Sequence, residues 1–305
     1  MKEILKDVSV VGLGQASVDY LGRIPFYPLE DEKIELIDFT TQCGGTASTA
    51  LVTLSRFGIL TSFIGSISDD FFGREILMCL KNENVDTTCL KITPGFHSQF
   101  AFIAIGEKTG NRNIFWRRGS APLLDPEDIK LELFKNAKFL HLDDLMIDAG
   151  IEAARQARDM GLQVVMDAGS MRDNVLDLLP LVNVLIASQN FITPLTGEVA
   201  TPEESLRTLK KLCTGDIIIT LGSKGSIGLF NNEIVFQEAF PVNAIDTTGA
   251  GDVYHGAYIY GLINGWKRKE CMRFASAAAS LKCLDVGARK GIPSLDRIHE
   301  FLGNT

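Results

Sequence analysis

The run Asp246-Thr247-Thr248-Gly249-Ala250-Gly251-Asp252 carries the residues best suited to chemistry, because it leads directly into a helical face marked by Val253, Ala257, Tyr260 and Asn264. Gly249, Ala250 and Gly251 leave the first main-chain N–H groups of that helix unobstructed. Such donors, at the positive end of the helix dipole, suit a phosphoryl group in transfer. Asp252 falls in the first turn, where a carboxylate in reach of an acceptor hydroxyl takes its proton. An isolated GxGD more often marks an aspartate that only offsets the dipole, but the length of this run argues for an anion hole and a base. In residues 217–225 an apolar strand enters a glycine-bracketed turn; Thr220, Gly222 and Gly225 are in position to face a nucleotide, although an isolated Gly-x-x-Gly is usually only a turn.

Gly12 and Gly14 follow a strand but lack the third glycine of a dinucleotide fingerprint; Ser17 and then Tyr20, Leu21, Gly22 and Pro25 stand where the helix would begin. What remains is a strand-end loop carrying Asp19, a carboxylate able to accept hydrogen bonds from a polyol. Gly44 and Gly45 open a helix over residues 46–57 and let main chain approach a ligand. No Walker A loop, kinase glycine loop, GxSxG elbow or HExxH helix occurs. The six cysteines (Cys43, Cys79, Cys89, Cys213, Cys271 and Cys283) form no CxxC pair, and the four histidines lie far apart, which excludes a zinc site. Scattered cysteines of this kind are expected to be free and buried in a reducing compartment.

The elements that must position these residues alternate. Strand-like runs at 8–12, 137–143, 162–167 and 183–187 interleave with helical stretches such as 151–160, closed by Gly161. That rhythm predicts an α/β fold with a parallel sheet between helices. Residues 34–40 and 100–116, the latter with a turn at 108–113, break it with β-type alternation. They are expected to pair into a small sheet, a lid near the strand ends where ligands bind in open sheets. One domain over residues 1–305 is expected, with the lid drawn from segments of about 13–42 and 96–120.

With 38 acidic and 30 basic residues the net charge is -8, which disfavours nucleic acid and anionic membranes as partners. Arg112, Arg117 and Arg118 are the nearest approach to a basic cluster and are kept as a possible anion contact. The amino terminus is charged through its first seven residues and lacks the apolar stretch of a signal peptide. No apolar run is long enough to span a bilayer, so the cytoplasm is expected.

The DTTGAGDVYHGA run, the Gly44-Gly45 loop, TLGSKG and a C-terminal GARKGIPS occur in order over nearly the whole chain and resemble the ribokinase or PfkB family of carbohydrate kinases. The resemblance implies a three-layer α/β/α domain with a small β lid, and ATP with Mg²⁺ phosphorylating a hydroxymethyl group of a sugar or nucleoside. It makes Asp252 the base and Gly249, Ala250 and Gly251 the anion hole. Asp19, Gly44, Gly45 and Thr49 fall where members contact the sugar. Thr220, Gly222, Ser223, Gly225 and Ser188 fall in the ATP region. Asp246 and Thr248 match positions that hold a monovalent cation such as K⁺ in some members, near residues 287–291. Two departures stand out. Thr49 replaces the usual Asn, and Ser188-Gln189-Asn190-Phe191 replaces the usual NxxE, removing an acidic group near the metal. GGTASTA, RFASAAASLKC and GARKGIPS look closest to the ketohexokinase-like and sulfofructose-kinase-like branch, which implies a ketose or modified hexose. A nucleoside kinase of the same fold and a catalytically silent sugar binder are the alternatives. A homodimer through the lid is expected.

Overall fold

Strands that are apolar on both faces need a helix layer on each side. The computed structural model describes residues 7–108 and 110–303 and has that arrangement. The charged residues 1–6 and Thr109 of the expected 108–113 turn lie outside the described residues. The chain runs through β1 (Val10–Leu13), β2 (Ser17–Ile24), β3 (Asp38–Gly44), α1 (Thr46–Arg56), β4 (Thr61–Ser68), α2 (Phe71–Asn82), β5 (Val85–Asp86), β6 (Leu90–Thr93), β7 (Phe100–Gly106) and β8 (Arg112–Arg117). It continues with β9 (Phe139–Leu142), α3 (Ile147–Asp159), β10 (Gln163–Ala168), the single turn α4 (Val175–Leu178), β11 (Val184–Ser188), α5 (Gln189–Thr196) and α6 (Pro202–Lys210). It closes with β12 (Asp216–Thr220), β13 (Ser226–Phe230), β14 (Glu233–Gln237), α7 (Ala250–Ile263), α8 (Arg268–Lys282) and α9 (Leu295–Gly303).

The large sheet has the order β14-β13-β12-β11-β10-β9-β1-β4-β5, with β6 also on β4. From β12 across to β5 and β6 it is parallel, and β13 and β14 extend it as an antiparallel hairpin. Alternate side chains divide the core. Val11, Leu13, Leu140 and Val164 pack with α3 and α6, while Val10, Phe139 and Val165 pack with α1, α7 and α8. The order reverses direction at β1, between β9 and β4, and this switch opens a crevice beyond the strand ends.

A second sheet, ordered β3-β2-β7-β8, stands apart from the first. Its central pair β2 and β7 is parallel and its edges are antiparallel. Phe72 of α2, stacked on Phe100 with centroids 4.8 Å apart and edge-on to Tyr20, anchors it. Two expectations change here. β3 spans 38–44 in place of 34–40, because Pro25, Pro28 and the charged residues 30–33 cannot join a ladder whose register runs from Ser17 with Gly44 to Arg23 with Asp38. Asp19 lies within β2 and not in a loop, since β3 and β7 hold β2 from both sides.

The expectation that every cysteine is free is also overturned. Cys43, at the end of β3, and Cys79, in α2, form a disulfide with Cα atoms 6.5 Å apart. The packing of the small sheet on α2 brings them within the span a disulfide needs, and sequence spacing carries no trace of that contact. Cys89, Cys213, Cys271 and Cys283 are free. No described helix is long and apolar enough to cross a membrane.

Candidate active site

Two cavities meet at the start of α7, where the residues of one turn divide between them. Thr247, Ala250 and Gly251 line a largely apolar cavity of about 460 Å³, and Thr248, Gly249 and Asp252 line a polar one of about 280 Å³. The turn is made possible by Gly249, whose φ of 76° favours glycine and whose missing Cβ would otherwise lie 2.6 Å from Ala288. The N–H of Ala250 is taken by the carbonyl of Thr247 at 3.2 Å. Among the described residues no acceptor meets the N–H groups of Gly249, Gly251 or Asp252. The N–H groups left open at this turn are therefore those of Gly249, Gly251 and Asp252, and Ala250 contributes its small side chain.

The polar cavity lies between the small sheet and the starts of α1 and α7. Asp19 of β2, Gly45 at the start of α1, Asp252, and Arg112 and Trp116 of β8 line it. Gly45, with φ 96°, brings α1 against the turn before β2; a Cβ would sit 2.5 Å from Ala16 Cα. Gly44 does not line the cavity; its α-carbon packs on the Asp19 carboxylate. Asp143, just after β9, staples this corner by accepting from the N–H groups of Gln15 (2.6 Å) and Ala47 (3.3 Å). Asp19 accepts the Ser17 hydroxyl at 2.7 Å; burial raises its pKa, opposed by that hydroxyl and by Arg289.

The larger cavity holds Thr220, Gly222, Ser223 and Gly225 at the turn between β12 and β13, opposite Ala279 and Ser280 of α8. Phe240 and Val242 complete its apolar wall, a shape suited to a flat heterocycle. Besides Gly44, two expected residues, Ser188 and Thr49, are not brought to either cavity. Ser188 caps α5, accepting from Phe191 N, and donates to Gly169 O. Thr49 is fully buried in α1, 3.5 Å from Arg289 Nε.

Behind the turn, His255, Asp167 and Arg172 were not apparent in the sequence. Asp252 is pushed up to about 8, first by burial and then by the carboxylate of Asp167. His255, one turn along α7, sits with Nδ1 2.7 Å from the Gly251 carbonyl and 3.2 Å from Asp167 Oδ2. Burial lowers the pKa of its imidazole, whose other nitrogen, Nε2, lies 3.5 Å from the Ile186 carbonyl. The only sequence signal was its helical spacing from Asp252. Arg112 donates to Thr247 Oγ1 at 2.5 Å and lines the polar cavity, as does Arg172, held by Asp144 at 3.1 Å. Arg118 lines a separate small pocket beside Gln15 and Gln99.

At the expected monovalent-cation position, both carboxylate oxygens of Asp246 are engaged. Oδ1 accepts from Thr248 N and Oγ1, and Oδ2 from Gly287 N at 2.7 Å. The main-chain carbonyl of Asp246 accepts the ammonium of Lys282 at 2.7 Å. Every oxygen of Asp246 is thus already met by a donor, one of them the Lys282 ammonium, and none is left free for K⁺. No described group of three His, Cys, Asp or Glu side chains gathers as a metal cage. Mg²⁺ needs none, because it keeps waters and enters with phosphates.

Residues 8–295 match the pfkB family carbohydrate kinase description. The chain is 27% identical over 319 residues to 5-dehydro-2-deoxygluconokinase of Geobacillus thermodenitrificans, covering 97% of this chain and 94% of the relative. It superposes on a putative ribokinase from Agrobacterium tumefaciens with a TM-score of 0.87 at 26% identity, over 98% of both chains. It superposes on Arabidopsis thaliana ribokinase complexed with ribose and ATP with a TM-score of 0.82 at 25% identity, covering 97% of this chain and 99% of that one. With the family's description matched from before the first strand to the start of the last helix, this chain belongs to the PfkB family of carbohydrate kinases.

Proposed function

We propose that the protein transfers the terminal phosphoryl group of ATP to a hydroxymethyl group of a ketose or modified hexose. The observation that carries this reading is the shared turn: nucleotide-sized and sugar-sized cavities meet at the free N–H groups and at Asp252. Asp252 takes the proton of the acceptor hydroxyl, whose oxygen bonds to phosphorus as the bond to the ADP oxygen breaks. The N–H groups of Gly249, Gly251 and Asp252 meet the charge on the phosphoryl oxygens. Mg²⁺, when bound with ATP, supplies charge neutralisation on the phosphates. Asp19 receives sugar hydroxyls, and Thr220, Gly222, Ser223 and Gly225 receive the nucleotide.

Arg112 and Arg172 in the sugar cavity favour an acceptor that bears a negative group, in keeping with the sugar acid in the Geobacillus relative's name. We read the small sheet as a lid within one domain, closing over the acceptor to exclude water. Its outer apolar residues, including Phe39 and Phe115, support pairing with a second copy. Dependence on ATP supports a cytoplasmic setting.

The test is ADP formation over a panel of ketoses, aldoses, deoxyketoacids and nucleosides, comparing wild type with Asp252→Asn. A loss of about a hundredfold or more in kcat is expected in the variant. Undiminished turnover in Asp252→Asn would reject the base.

A further inference from the structure

Lys282 ends α8 in full burial, with 0% exposure. Its ammonium donates to the main-chain carbonyl of Asp246 at 2.7 Å and approaches that of Asp285 at 3.5 Å. Among the described residues no carboxylate lies within ion-pair distance of it. An isolated buried charge is costly to desolvate, so this one needs a compensating field. The field comes from carbonyl oxygens gathered at one point. The negative end of α8 is there, and the N–H groups of Ile245 and Asp246 hang on the Cys283 carbonyl at 2.8 and 3.3 Å. The Asp246 carboxylate adds its charge and ties Thr248 to Gly287. Gly291 makes the room: a Cβ there would lie 3.3 Å from Lys282 Cε and 2.5 Å from its carbonyl oxygen.

We propose that the Lys282 ammonium is a built-in monovalent cation that holds residues 245–248 in place behind the anion hole, so that the enzyme works without an alkali ion. Lys282 touches neither cavity and acts through Asp246, which makes it a positioning residue. Its target is the segment whose last residues, Thr247 and Thr248, lead into Gly249. A displacement of that segment moves the phosphoryl-binding N–H groups relative to Asp252, and kcat suffers more than the KM for sugar or ATP. The proposal builds on the phosphoryl-transfer reading given above.

The experiment compares wild type, Lys282→Ala and Lys282→Met in potassium, ammonium, sodium and tetramethylammonium chlorides at matched ionic strength, measuring kcat and melting temperature. Wild type should show the same kcat and melting temperature in all four salts. Lys282→Ala should lose roughly a hundredfold in kcat with little change in either KM. Potassium or ammonium, small enough for the vacated space, should restore about a tenth of the loss or more and raise the melting temperature of this variant alone. Lys282→Met fills the space without charge and should not be rescued. Activation of the wild type by potassium over tetramethylammonium would overturn the proposal, as would full kcat in Lys282→Met. Should no acceptor support turnover in any salt, the kinase reading fails; the salt dependence of melting in wild type and Lys282→Ala still decides the role of the ammonium.

Discussion

The protonation of Asp252 sets a quantitative expectation for the pH dependence of catalysis. Its carboxyl is pushed up to about 8, with burial the largest cause and Asp167 the next; His255 and Arg112 oppose the rise, and Asp19 adds to it. A general base acts only when ionised. With that value the carboxylate form makes up roughly a tenth of the enzyme at pH 7 and roughly nine tenths at pH 9, so kcat/KM should rise about tenfold across that interval. Asp167→Asn removes the like charge, which favours ionisation of Asp252. Its rising limb should therefore move to lower pH, with a gain in rate at pH 7 relative to its own plateau. The sign for stability is opposite to that for activity. A carboxyl whose folded value lies above its unfolded value of about 4 disfavours the fold increasingly as pH climbs from there to about 8. Asp252→Asn should then melt higher than wild type at pH 9 while turning over more slowly. The assay is initial-rate ADP formation from pH 6 to 9 at limiting sugar and ATP, where kcat/KM reports the free enzyme, with melting curves at each pH. A flat profile, or a limb that moves to higher pH in Asp167→Asn, would refute the assignment.

Asp19→Ala should raise the sugar KM about tenfold or more, the worth of hydrogen bonds to a charged group, and leave the KM for ATP unchanged, because Asp19 lines only the polar cavity; an unaltered sugar KM would remove it from the site. Phe115→Asp, at a residue 61% exposed on the small sheet, should convert a dimer into monomers by light scattering without loss of fold. A monomeric wild type would end the dimer reading.

The helix start at DTTGAGD was legible because every signal for it is local: the glycines, the small side chains and the apolar period all lie within a few turns. The same holds for the hairpin of β13 and β14, where Asn231 and Asn232 take positive φ as a tight turn requires, and for Gly161 closing α3 with φ 78°. The Thr220 to Gly225 turn was readable for that reason, and it lines the larger cavity. Asp19 was found as a candidate although its setting was misjudged, since nothing within the segment of residues 17–24 reveals that it becomes the middle strand of a second sheet.

What local patterns could not reach depends on segments distant in the chain. The Cys43–Cys79 disulfide, the pairing of His255 with Asp167, and Arg289 beside Ser48 and Gly44 each join residues whose separation carries no periodic signal. Ser188 and Thr49 were placed at the site by position in a motif; the structure turns one into a helix cap and buries the other, because side-chain direction is set by packing. The fold class, the helix that starts the site and the residue able to act as base follow from the sequence alone, since propensity and period are properties of short stretches. The tertiary structure decided which N–H groups remain free, how far the Asp252 carboxyl is shifted and that the Lys282 ammonium donates to the Asp246 carbonyl, because desolvation and electrostatic fields are properties of the whole packed interior.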